Sequence, residues 1–374
     1  MAQQVDQHET SGRPRVWLVI GEKRGDNAQI MNLAEAVGWD CEVKKILVKP
    51  QWAIKKPKVR PTLDHVDLAR SDSLEAPWPD LVMTAGRRLS CVGFWIKRAS
   101  AGKTRLVMVG KPRRLLDSVD LIVAASHYAL KPGPNVVRHD LPLMHADQRM
   151  LESAAALWQS RLAENPRPLT ALMVGGPTGG LRFDLETAHD LFEKTIESVE
   201  ESGGSLYITT SRRTPPEVAE MLRRECPESA RLFEFDSEAP PSENPYHALL
   251  ALADRFIVTT DSISMMVEVA RLGRSLSIYP LESEAGLFER GLTALGLIRP
   301  LSPRQDSIPG GGLWARTMYR LGRPDYNRDL SAIPRLLVEK GRAGWLGDEW
   351  IDSSPFVDDE LDEIAERIRA LVRV

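Results

Sequence analysis

The stretch FIVTTDSISMMVEVARLGRSLSIYP, residues 256–280, decides the fold. Phe256 to Val258 are apolar and read as a buried strand. The short polar residues Thr259-Thr260-Asp261-Ser262 then interrupt the run. From Ser264 to Leu272 the apolar positions fall at helical spacing, and Gly273 is a suitable stop. Leu276 to Tyr279 is a second apolar run. Strand, polar turn, helix and strand in so short a span make a βαβ unit, whose two strands are parallel.

The same unit recurs in both directions from this stretch. Leu169 to Val174 reads as a strand and leads into Gly175-Gly176-Pro177-Thr178-Gly179-Gly180. A helix follows, with Asp184 as N-cap and Leu185, Ala188, Leu191, Phe192, Ile196 and Val199 on its buried face. Ser205 to Thr209 is a strand ending in Ser211-Arg212-Arg213. Thr214-Pro215-Pro216-Glu217 then combines a capping box with proline at the first helical position, and Asn244-Pro245 opens another helix. Nearer the N-terminus, Val16 to Ile20 leads into the loop Gly21–Asp26 and a helix that stops at Gly38. Leu81 to Ala85 leads into Gly86-Arg87-Arg88. Leu106 to Val109 leads into Gly110-Lys111-Pro112-Arg113, and Leu121 to Ala125 ends near Ser126-His127. Continuous apolar runs separated by helices indicate buried parallel strands covered on both faces.

The fold expected is therefore α/β, with two doubly wound, Rossmann-like domains in tandem facing across a cleft. Residues 1–14 form a polar leader and 15–145 the first domain. Residues 146–168 are a connecting helix and linker, and 169–340 the second domain. Residues 341–374, ending in an amphipathic helix (Leu361, Ile364, Ile368, Leu371), pack back on the first domain. The Pro-, Lys- and Asp-rich segment from Lys49 to Pro79 reads as a long surface excursion.

Bulk properties narrow the function classes. With 43% hydrophobic and 27% charged residues, the 374-residue chain is globular. Its formal net charge of −3 gives no reason to expect non-specific nucleic-acid binding. Cys41, Cys91 and Cys226 are scattered and form no CxxC pair, which suits reduced thiols in a cytoplasmic protein. The leader lacks an apolar core, and no apolar run is long enough to span a membrane. Any membrane contact is expected to be peripheral.

In an open parallel sheet, ligands bind beyond the carboxyl ends of the strands. Here those ends carry the chemistry. Gly175, Gly176, Thr178, Gly179 and Gly180 let backbone N–H groups approach a phosphate, or make a plain strand-to-helix turn. Ser211, Arg212, Arg213 and Thr214 place hydroxyls and two guanidinium groups at a helix N-terminus, where an anion is favoured; the plainer alternative is a solvated basic turn. Asp261, Ser262, Ser264 and Met265 begin the helix of the opening stretch. Backbone N–H groups there suit a diphosphate, and Glu268, one turn inside, suits a ribose diol. Alternatively Ser262 or Ser264 caps the helix and Glu268 is a favourable early acid. In the first domain, Glu22, Lys23, Arg24 and Asp26 occupy one loop, with Asp26 readable as a general base or as a helix N-cap. Arg87, Lys111 and Arg113 sit at neighbouring strand ends and make an electropositive rim. His139, just before the connecting segment, is placed to reach the cleft, although a lone histidine is more often structural. No metal cluster, Walker loop, nucleophile elbow or dinucleotide fingerprint is present, so neither a metal nor a cofactor is expected.

Several of these segments together resemble the elongated-mitochondria fission family. They are Gly21–Gln29, Gly86-Arg87-Arg88, His139-Asp140-Leu141-Pro142, Gly175–Gly180, Thr209–Pro215 and Thr260–Glu268. That resemblance covers roughly residues 15–300 and implies a GT-B-like fold of the glycosyltransferase type. The Gly21–Asp26 pattern is also similar to the opening loop of lipid A disaccharide synthases. Asp261–Glu268, followed by Gly273 and the strand to Pro280, resembles the donor-nucleotide motif of GT-B transferases. In such enzymes the C-terminal domain holds the nucleotide and the N-terminal domain the acceptor. Leu276 stands eight residues after Glu268, where the retaining type has a second acid, and this implies inversion.

The leading expectation is a metal-independent inverting glycosyltransferase using a nucleoside-diphosphate sugar and an unknown acceptor. A sugar-nucleotide epimerase or hydrolase on the same fold is one alternative. A non-catalytic scaffold that recruits a fission or division partner is the other.

Overall fold

The computed structural model describes residues 13–52, 57–111, 115–128, 130, 133–177, 181–282, 329–356 and 360–372. They form two units, each built around a six-stranded sheet with helices.

The first unit contains β1 (Val16–Ile20), α1 (Arg24–Val37), β2 (Cys41–Lys45), β3 (Leu81–Ala85), α2 (Arg87–Ala99), β4 (Arg105–Val109), β5 (Leu121–Ala125) and β6 (Val136–His139). Its strand order is β2-β1-β3-β4-β5-β6, with β2 through β5 paired in parallel. Strands β3 and β5 are buried along their whole length, which is why their sequences show no polar alternation; the one hydroxyl in β3, on Thr84, donates to Val19 O at 3.0 Å. Helix α1 buries Ile30, Leu33, Ala34 and Val37, and Gly38 closes it in the left-handed conformation.

The second unit contains α3 (Gln148–Leu162), β7 (Leu169–Met173), α4 (Leu185–Ser202), β8 (Ser205–Thr209), α5 (Pro216–Glu225), β9 (Ala230–Phe233), α6 (Tyr246–Leu252), β10 (Arg255–Thr259), α7 (Ile263–Arg271), β11 (Ser275–Tyr279), α8 (Ala332–Glu339) and β12 (Gly344–Trp345). The order β12-β11-β10-β7-β8-β9 is parallel at every pairing. Asp184 caps α4 by accepting from Thr187 N at 3.0 Å. The Asn244 side chain accepts from Tyr246 N at 3.0 Å and starts α6.

The tail serves both units. Residues through Trp345 complete the second sheet, whereas α9 (Glu360–Val372) packs on α1 and buries Ile364, Ala365 and Ile368. Arg369 donates to the Ala36 carbonyl at 2.6 Å and to the Val37 carbonyl at 3.0 Å, satisfying carbonyls that the end of α1 leaves open.

Two expectations need correction. The Lys49–Pro79 excursion is not merely a surface loop. Lys49 N donates to His65 O, Asp67 N donates to Leu47 O, and His65, Val66 and Leu74 are buried. The capping box at Thr214–Glu217 does not form. The Thr214 hydroxyl instead donates toward the carbonyls of Val174 (3.1 Å) and Gly175 (2.8 Å), and Pro215 takes the N-cap position without a side-chain bond. A tertiary bond to the neighbouring strand end outcompetes the local cap.

Each sheet has one place where the strand order reverses, between β1 and β3 in the first unit and between β7 and β10 in the second. These are the crevices where open α/β sheets take ligands.

Candidate functional site

The second unit's switch point is organised by Asp261. Its side chain is fully buried, and it accepts four hydrogen bonds. The donors are Gly176 N (3.1 Å), Arg213 Nη2 (2.7 Å), Thr259 Oγ1 (2.6 Å) and Ser262 Oγ (3.1 Å). Thr259 Oγ1 also accepts from Gly175 N at 3.1 Å. One carboxylate thereby ties the ends of β7, β8 and β10 together. Burial pushes the Asp261 carboxyl up, while Arg213 and the donors around it pull the other way. Sequence reasoning placed Asp261 and Arg213 among the ligand contacts. The structure turns the Asp261 carboxylate inward, so it builds the loops, and it ties the half-exposed Arg213 to the same junction.

The glycines follow from this packing. A Cβ on Gly175 would lie 2.2 Å from Asp261 Oδ1, and one on Gly176 would lie 2.0 Å from the Arg213 carbonyl oxygen. Gly175 and Gly176 are thus required by close approach. Thr178, Gly179 and Gly180 lie outside the described residues. Ser211 and Thr214 form a small turn, in which Ser211 N donates to Thr214 Oγ1 at 2.8 Å and Arg213 N to Ser211 Oγ at 3.3 Å. Arg212 projects from that turn and is exposed.

Helix α7 starts at this junction without a side-chain cap, because the Ser262 hydroxyl is turned to Asp261. Neither Ser262 nor Ser264 caps it. Its first N–H groups, including those of Ser264 and Met265, therefore keep their capacity to bind an anion. Further along α7, Glu268 is half-buried and accepts a hydrogen bond from the hydroxyl of Tyr246, on α6. Burial raises the Glu268 carboxyl to about 7 and lifts the Tyr246 phenol well above its ordinary value. Tyr246 escaped the sequence reading because nothing local links it to a residue 22 positions away.

The first unit's switch point is built differently. Asn27 clamps the end of β1, accepting from Gly21 N at 3.1 Å and donating to Gly21 O at 2.7 Å. This residue too was missed. Helix α1 already begins at Arg24, so Asp26 lies in its first turn, and the N-cap alternative is overturned. The Asp26 carboxylate lies 3.8 Å from Lys23 Nζ and packs so near Gly86 that a Cβ there would sit 2.8 Å from Oδ2. Gly86 has φ of 79°, so its lack of a side chain serves both the backbone and the carboxylate. Glu22, Lys23 and Arg24 are exposed. Arg87 starts α2 and donates from Nε to Pro57 O at 3.0 Å, which couples it to the packed excursion. Lys111 is half-buried, and burial lowers the pKa of its ammonium. Arg113 lies outside the described residues. His139 is 3% exposed and sits inside the unit, as the structural alternative has it.

A separate polar cavity of about 420 Å³ lies beside α4 and the end of β11. Its charges pair with each other: Lys194 with Asp190 at 2.7 Å, and Arg182 with Glu186 at 3.1 Å. Tyr279 donates to Asp190 at 2.7 Å. This arrangement offers an anion less than the α7 junction does.

Among the described residues no helix is long and apolar enough to cross a membrane. A family model described as Mitochondrial fission ELM1 matches residues 24–317. The Mitochondrial fission protein ELM1 of Arabidopsis thaliana is 25% identical over 305 residues, covering 75% of this chain and 68% of that protein. Among solved structures, the UDP-GlcNAc 2-epimerase from Methanocaldococcus jannaschii has a TM-score of 0.48 at 10% identity, covering 95% of this chain and 99% of that one. UGT89C1 of Arabidopsis thaliana, complexed with UDP, has a TM-score of 0.47 at 11% identity, covering 97% and 100%.

Proposed function

This chain belongs to the Mitochondrial fission ELM1 family, and from that premise we propose that it is an inverting glycosyltransferase using a nucleoside-diphosphate sugar. The observation that carries the proposal is the junction at the second switch point. There a buried carboxylate aligns three strand ends under the uncapped N-terminus of α7. Such a site is fitted to a diphosphate by fixed N–H groups and a helix dipole.

In this reading the second unit holds the donor. The diphosphate lies against the first turn of α7 and Arg212, and Glu268 accepts hydrogen bonds from the ribose diol. The first unit holds the acceptor. Asp26 takes the proton from an acceptor hydroxyl as its oxygen attacks the anomeric carbon. The bond from that carbon to the diphosphate oxygen breaks, and the helix N-terminus and Arg212 take up the leaving charge. No metal is assigned a part, because these groups fill the role a cation has elsewhere. A single displacement inverts the anomeric centre. Leu276 is 1% exposed on β11, so that position supplies no second acid.

The name of the plant relative favours a second reading, in which the fold recruits a fission or division partner. A product assay on the wild type and Asp26→Asn separates the two. Transfer that disappears in the variant supports the enzyme. A protein without turnover on any donor, whose variant still complements a deletion strain, supports the scaffold.

A further inference from the structure

The pairing of Glu268 with Tyr246 has no place in the chemistry above. Tyr246 is the first residue of α6, held there by its N–H bond to Asn244 Oδ1. Its hydroxyl donates to Glu268 Oε2. Glu268 Oε1 has no hydrogen-bond partner among the described residues. A glutamate side chain on a helix ordinarily has several rotamers open to it, and a hydrogen bond that fixes one oxygen removes much of that freedom.

We propose that Tyr246 is a positioning residue: it holds one oxygen of Glu268 so that the other is presented to the ribose diol of the donor. This rests on the donor reading given above. A consequence is that nucleotide affinity depends on pH near neutrality. Ionised Glu268 accepts two strong hydrogen bonds, one from Tyr246 and one from the ribose, and the protonated acid loses acceptor capacity. Burial raises the carboxyl to about 7, and the Tyr246 hydrogen bond opposes that rise. Removing the hydroxyl therefore moves the titration higher.

The charged groups on the elements packed against α7 are engaged elsewhere. Arg271, one turn on, faces His145 and the Pro142 carbonyl. Arg335 of α8 pairs with Asp329. Arg255 of β10 lies over the Trp350 ring, and Arg274, ahead of β11, donates to Ala251 O. On α6 itself the ring of His247 packs edge-on against Tyr246, with centroids 5.3 Å apart, while burial and the Tyr246 hydroxyl are what act on the Glu268 carboxyl.

The test is titration of wild type, Tyr246→Phe and Glu268→Gln with UDP, GDP and CDP between about pH 5.5 and 9. Wild type is expected to bind at least one of them, about tenfold more weakly at the acid end than at the alkaline end. Tyr246→Phe should show its midpoint displaced to higher pH, with a severalfold loss near pH 7 and a smaller loss that persists near pH 9, where Glu268 is ionised but no longer held. Glu268→Gln should keep only the dependence that the ligand's own terminal phosphate contributes as it titrates near ~6, and should lack the rise that wild type shows through about 7. If Tyr246→Phe fails to fold, replacing tyrosine by 3-fluorotyrosine, a stronger donor of similar size, should move the midpoint downward. A wild type that binds a nucleotide, with profiles that overlay for the tyrosine variants, overturns this inference alone. A wild type that binds none of the three overturns the donor reading with it.

Discussion

The carboxylate of Asp261 occupies the space that a side chain on Gly175 would need: a Cβ there would lie 2.2 Å from Oδ1. The contact crosses from the end of β7 to the end of β10, the two strands that flank the sheet's switch point. Gly175→Ala is therefore expected to force the carboxylate off its four donors. Overpacking of this kind costs about 1–3 kcal/mol. A lowered Tm together with at least tenfold weaker nucleotide binding would bear this out, whereas an unchanged Tm would show that the junction yields freely.

Asp261→Ala removes the other half of the same contact. It leaves Arg213 and the Gly176 N–H without their acceptor. Breaking a fully buried ion pair costs about 3–5 kcal/mol, and Arg213 keeps some solvent, so about 2–3 kcal/mol is expected. Denaturant unfolding measures it.

Glu268→Gln should act in opposite directions on stability and binding. The folded state holds the Glu268 proton more tightly than the unfolded chain, with a value raised from 4.5 to about 7. The stability this group contributes is thus present below its unfolded value and lost as pH rises through about 7. Glutamine has no such loss. The variant is expected to be more stable than wild type near pH 8, by on the order of 2 kcal/mol, and level with it near pH 4. Its nucleotide affinity should be lower. Thermal melts across pH that run parallel for the two proteins would contradict the first half.

Asp26→Asn should abolish transfer and leave donor binding intact, since the donor is assigned to the other unit. General-base contributions run to about 10²–10⁴-fold in rate. Losing a first-turn charge costs only ~0.3–1 kcal/mol, so the variant should melt within a few degrees of wild type. Parallel losses of Tm and turnover would mark Asp26 as structural.

Much of this arrangement could be read from local pattern. The apolar runs at Leu81–Ala85, broken only by Thr84, and at Leu121–Ala125 disclose buried parallel strands, and Asp184 announces its helix with a cap that forms. What the pattern could not supply is direction. Thr214 and Ser262 both look like helix caps, yet Thr214 gives its hydroxyl to a carbonyl at the end of β7 and Ser262 gives its to the neighbouring Asp261, whose own position long-range contacts fix. Asp261 looks like a ligand contact, but its burial depends on Gly176 and Arg213, 85 and 48 positions away. Tyr246 carries no motif, and Asn27 lies within the Gly21–Gln29 segment with nothing in the pattern to mark it as a clamp. Their roles exist only once Gly21 and Glu268 have been brought beside them.

The central claim is that the α7 junction binds a nucleoside diphosphate, and calorimetric titration of UDP, GDP, CDP and dTDP tests it most directly. The account predicts that at least one ribonucleoside diphosphate binds and that dTDP, lacking the 2′-hydroxyl, binds more weakly. It also predicts that Arg212→Ala and Glu268→Ala each weaken binding about ten- to hundredfold, as the loss of a charge-assisted hydrogen bond should. Absence of binding to all four nucleotides, or affinity untouched by both substitutions, would contradict it.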